Sequence, residues 1–162
     1  MVRRARWEHG PGFPWLDIDD VQADALQDLV TEGNSLSFYE VPDQSGPDPI
    51  VFALAAKRDN FVNFDYIVVA PGELESLGIV INETMGLTPW IRVNRLHRDV
   101  AQLSVKRVSG LVSVAAKDLP IRMNWKVVKA GVVKAVKDGH MAIGQVNEKL
   151  RDEIINDLNR DS

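Results

Sequence analysis

The chain has 162 residues, 45 % of them hydrophobic and 26 % charged, with a mean hydropathy of −0.13 and a formal net charge of −4. That length suits one domain with its own core, the composition excludes a disordered chain, and no apolar run approaches the roughly 18 residues of a membrane span. Cysteine is absent, which excludes disulfides, thiolate nucleophiles and thiolate zinc sites and points to a soluble protein of a reducing, cytoplasmic setting.

Residues 1–16 read as an irregular arm. Gly10, Pro11, Gly12 and Pro14 forbid a helix, and Trp7, Phe13 and Trp15 are suited to docking it on the body. The basic start has no apolar segment behind it, so it does not read as a secretory signal. Without export, the glycosylation pattern at Asn82-Glu83-Thr84 carries no meaning. A helix is predicted over 19–32. Asp19 and Gln22 form a capping-box pattern, Ile18, Val21, Leu26 and Leu29 recur at helical spacing, and Gly33-Asn34 stop it.

Three strands are predicted next, in one sheet. Residues 35–41 alternate, 50–56 are nearly all apolar as in a central strand covered on both faces, and 64–70 are β-branched and aromatic. Pro71 opens a short helix around 73–77. Residues 78–81 suggest a short strand, and 90–95 alternate Ile91 and Val93 with Arg92 and Asn94. Residues 103–108 and 111–116, around Ser109-Gly110, read as a hairpin, with a helix over 96–104 as the alternative. Asn124 caps a helix that runs to Lys137 and stops at Asp138-Gly139. The last helix, 141–159, carries the stripe Ile143, Val146, Leu150, Ile154 and Leu158, read as core packing or as a homodimer face. The fold class is therefore α+β, a mainly antiparallel sheet with an N-terminal helix and two C-terminal helices in a single domain over 1–162. Leu26, Phe52, Leu54, Ile67, Val69 and Ile154 are its expected common core.

No short motif assigns a reaction. His97-Arg98-Asp99 has the first three residues of a kinase catalytic loop, but the required Asn is Ser104 and no Gly-rich loop precedes it. Gly10-Pro11-Gly12 lacks the third glycine of a dinucleotide loop. A nuclease core would need an acid in the triplet Ala55-Ala56-Lys57 to join Asp48 on a metal, leaving Asp48, Asp59 and Asp65 as turn or edge residues. His9, His97 and His140 are too scattered for a metal set, and no cofactor motif is legible.

Charge is unevenly spread. Residues 1–90 carry 5 basic and 15 acidic side chains, whereas 91–140 carry 11 and 3. An acidic front half is a natural match for a cationic partner surface. In the basic segment, Lys126, Lys129, Lys134 and Lys137 share one arc of a helix with Arg122 just upstream, a spacing that can follow phosphates. Val128, Val132, Ala135 and Val136 lie opposite, and Val133 fits neither face. The expectation is a non-enzymatic protein-interaction domain of the adaptor, inhibitor or immunity type. The alternative is nucleic-acid or anion binding through 91–140, and third is a degenerate nuclease-like fold. The chain is expected to engage another protein and no membrane.

Overall fold

The computed structural model describes residues 2–5 as backbone, and 35–42, 46–115 and 120–160 in full. The helix expected over 19–32, and Leu26 with it, lie outside the described residues. The chain alternates β1 (Val2–Ala5), β2 (Leu36–Tyr39), α1 (Asp48–Ala55), β3 (Phe64–Val68), α2 (Pro71–Ser76), β4 (Val80–Glu83), α3 (Ile91–Asn94), β5 (His97–Ala101), α4 (Val105–Ala115), β6 (Ile121–Met123), α5 (Trp125–Lys137) and α6 (Glu148–Arg160), with a 3-10 turn at Ile143–Gln145. This is α+β with antiparallel strand pairing. The start of the expected arm is therefore a strand. Two compact units divide the fold, each assembled from segments distant in sequence.

The first unit comprises residues up to 40, 65–84 and 97–121. Its strands stand in the order β4-β5-β2-β1-β3, with Leu36 opposite Val100, Tyr39 opposite His97 and Ile81 opposite Val100. Leu36, Phe38, Ile67 and Val100 pack with Leu74 of α2 and with Leu111, Val112 and Ala115 of α4. A side chain as fully enclosed as Leu111 contributes about 2 kcal/mol by leaving water. The hairpin expected around Ser109-Gly110 is α4 instead. Val108, Leu111, Val112 and Ala115 recur at helical spacing, and Gly110 is a close-approach residue, since a Cβ there would stand 2.7 Å from Leu77.

The second unit comprises 41–64, 85–96 and 122–162, and its described part is mostly helical. Residues 50–56 are not a central strand: 48–55 form α1. Pro49 sits in the first turn, where its missing N–H costs nothing, and Asp48 suits the helix dipole. An unbroken apolar run fits a buried strand or a buried helix equally, and the helix-favouring Ala53, Ala55 and Ala56 decide it. Ile50, Val51 and Ala53 are buried, whereas Phe52 and Leu54 are half-buried, and Ile67 and Val69 belong to the other unit's core, so the expected common core is two. The 90–95 stretch is the short helix α3 rather than a strand. Asn124 caps α5 by accepting from the Lys126 N–H at 2.9 Å, and Gly139 ends it at φ +75°. Asn147, whose Oδ1 accepts the Lys149 N–H, starts α6 later than expected and ties it to α1, its own N–H donating to the Ala56 carbonyl at 2.8 Å. Val146, Leu150 and Ile154 of the expected dimer stripe are buried within this unit.

His97-Arg98-Asp99 lies on β5. His97 is buried, shares a 2.7 Å hydrogen bond between Nδ1 and Thr84 Oγ1, and meets the Tyr39 ring edge-on at 5.0 Å. Burial holds its pKa below the ordinary histidine value, the Asp99 carboxylate opposing and Arg98 adding to that effect. Burial, then Asp99, pushes the Tyr39 hydroxyl up to about 12.

Two outcomes follow from this packing. A Cβ at Gly131 of α5 would lie 2.2–2.5 Å from the Phe52 ring of α1. The helix-propensity gain of about 1 kcal/mol for Gly131→Ala is therefore outweighed by overpacking of about 1–3 kcal/mol; denaturant midpoints should fall in that variant and recover when Phe52→Leu is added. For His97, the unfolded chain takes up a proton as pH falls through 6.5 while the folded imidazole does not. Stability should decline as pH drops below that value, and urea unfolding across the pH series should show a shallower decline in His97→Gln.

Candidate functional site

Two surfaces stand out, both in the second unit. The first is the segment from Met85 to Ile91, between β4 and β5 in the chain. Its burial alternates over the first four residues, Gly86 and Thr88 being buried and Met85 and Leu87 exposed. Asn94 closes it from below. Its Oδ1 accepts from the Thr88 N–H at 2.7 Å and from the Thr88 hydroxyl at 2.6 Å, its Nδ2 donates to the Thr88 carbonyl at 2.9 Å, and its own carbonyl accepts the Gly86 N–H at 2.8 Å. The Trp90 N–H donates to Thr88 Oγ1, and the Trp90 ring stacks on His140 with centroids 4.9 Å apart. Above this network Met85, Leu87 and Ile91 are 65 %, 82 % and 62 % exposed, with the exposed Arg92 and Arg95 beside them. An exposed leucine alone means little, but three large apolar side chains are exposed here within seven residues, on a backbone hydrogen-bonded at Gly86, Thr88 and Trp90. Sequence reasoning missed it. The available signal was the placing of Met85, Leu87 and Ile91 around Gly86, Thr88 and Pro89, which a strand reading of 90–95 obscured.

The second surface is a groove of about 590 Å³ along α5, lined by Trp125, Lys126, Lys129, Val133, Lys134 and Lys137 and by Asp157 and Arg160 of α6. Four of the five basic residues expected to bind a polyanion thus meet on one surface. Arg122 does not line it; it is exposed on β6. The four lysines are not equivalent. Lys129 Nζ lies 2.6 Å from Glu153 and 2.8 Å from Asp157, and these carboxylates, Asp157 foremost, hold its pKa above the ordinary lysine value. It is a tie between α5 and α6. Lys134 lies 2.6 Å from Asp138, one turn on. Lys126 and Lys137 make no ion pair among the described residues, and Lys126 Nζ lies 5.7 Å from the Trp125 ring centroid. Val133, the residue that fitted neither face of the helix, is buried and lies in the floor.

The catalytic near-misses gain nothing from geometry. Thr84, His97 and Asp99 follow a hydroxyl–imidazole–carboxylate order, but Asp99 Oδ1 stands 3.9 Å from His97 Nε2, beyond hydrogen bonding. The strand required by a nuclease core is α1, and Asp59 is engaged by Lys149 at 2.5 Å. Among the described residues no three potential metal-ligating side chains cluster, and no helix is long and apolar enough to cross a membrane. No known protein family, curated protein or solved structure matches the chain.

Proposed function

We propose that this chain is a non-enzymatic protein-interaction domain whose contact element is the Met85–Ile91 segment. One observation carries the reading: the three exposed apolar side chains stand on a backbone closed by Asn94 and Thr88. Ordering such a segment costs conformational entropy before any partner arrives, so the partner does not have to supply that cost on binding. Large apolar anchors at the centre of a contact, with polar and charged residues at its edge, match the usual anatomy of a protein interface. Met85 adds a side chain that adapts to irregular surfaces. The neighbouring exposed charge, Arg92, is basic, so the fitting partner has an apolar pocket with an acidic group at its rim. The proposed contact straddles the boundary between the two halves: six of its seven residues belong to the acidic front half, and the basic neighbour Arg92 belongs to the segment that follows. An adaptor, inhibitor or immunity-type role needs nothing more than such a surface.

The experiment is site-specific crosslinking in the native cell. A photoreactive phenylalanine derivative at Leu87 should capture one defined protein, while the same group at Asp152, exposed on α6, should not. Replacing Met85 and Ile91 with serine in the same chain should reduce the Leu87 product at least severalfold without moving the unfolding midpoint. Identical products from both positions, or none from Leu87, would overturn the reading.

A further inference from the structure

We infer that the groove along α5 is a binding site for a nucleotide, an aromatic base bearing one or more phosphates, offered either free or at the end of a single strand. The inference does not depend on the apolar segment. It rests on how charge is used in the groove. Lys129 is spent on Glu153 and Asp157, and Lys134 on Asp138. These three carboxylates are thereby occupied. Lys126 and Lys137 make no ion pair among the described residues, and the exposed Arg160 reaches Asp157 only at 3.8 Å. The groove therefore holds more cationic groups than carboxylates: Lys126, Lys129, Lys134, Lys137 and Arg160 line it with Asp138 and Asp157, and Lys126 and Lys137 have no direct ion-pair partner among the described residues, although the Asp138 carboxylate feels the Lys137 charge.

Their placement selects the ligand. Lys126 and Lys137 lie eleven residues apart on one helix, about 16 Å along its axis, with the exposed Ala130 and the buried Val133 lining the groove between them. Trp125 lies at the first end, lining the groove and 40 % exposed. The Lys126 ammonium stands over the Trp125 ring, 5.7 Å from its centroid, so a base stacks on the indole from the other face or by displacing that ammonium, which is then available to a phosphate. Inorganic phosphate would use the lysines but leave the ring and the apolar floor unfilled, so an anion without a base is the poorer fit.

The test is a titration of isotopically labelled protein, followed by NMR at the Trp125 indole N–H and the Val133 amide, with three probes: ATP, inorganic triphosphate and a ten-residue oligothymidylate. Either base-bearing probe should shift both signals, with inorganic triphosphate binding about tenfold more weakly because stacking is lost. A free-nucleotide site responds to ATP above the oligonucleotide, and a strand-end site the reverse. Binding should weaken as salt rises. The double variant Lys126→Ala, Lys137→Ala removes no ion pair seen in the structure, so it should keep the wild-type unfolding midpoint while losing about tenfold in affinity. Trp125→Phe should retain the lysine contacts but bind more weakly. No shift at Trp125 with either base-bearing probe, equal affinity for triphosphate, or wild-type affinity in the lysine variant would each overturn the inference.

Discussion

Asn94 is the constraint on which the display surface depends. The residue is only 9 % exposed, and a buried amide left without partners would cost about 1–3 kcal/mol. Here its oxygen accepts twice from Thr88 and its nitrogen donates back to the Thr88 carbonyl. Thr88 is thereby fixed by backbone and side chain together, with Met85 and Leu87 exposed on the same segment. A serine or alanine at position 94 could not bridge both sides of the turn. The Trp90–His140 stack then holds the same segment against the end of α5, so a surface without regular secondary structure over most of its length is fixed at two points.

The basic segment shows the limit of reading charge from totals. Residues 91–140 look like a cationic face, yet Lys129 is committed to two carboxylates of α6 and Lys134 to one on its own helix. Exposed pairs of this sort contribute little to stability. Lys129, only 20 % exposed, is better placed than the others to orient α6 on α5. What remains cationic is the pair at the two ends of the groove, and those ends, not the stripe as a whole, give the surface its character.

Much of the fold was legible from local chemistry. The strands at β2 and β3, the short helix after Pro71, and α5 with its Asn124 cap and Gly139 stop follow from alternation, proline position and capping. The failures share a cause. At 50–56 and 105–115 apolar or β-branched residues suggested strands, although Ala53, Ala55 and Ala56 in one case and the 108–111–112–115 spacing in the other fit helices. Gly110 and Gly131 mislead a reader of turns and propensities, because each is required by a neighbouring side chain, Leu77 or Phe52, distant in sequence. For the same reason the lysine arc was visible but its ion pairs were not, since Glu153 and Asp157 enter only when α6 packs. For the Met85–Ile91 segment the sequence offered only the placing of its apolar residues around Gly86, Thr88 and Pro89, because the hydrogen bonds between Thr88 and Asn94 that hold it are encoded by no periodicity.

If the apolar segment is held in place before any partner binds, amide hydrogen exchange of the free protein will show it. The Gly86 and Thr88 amides donate to Asn94 and should exchange slowly, with protection comparable to that of Val132 inside α5. Exchange of both at the rate of an open chain, while Val132 stays protected, would show a segment that is not preorganised and would contradict the account.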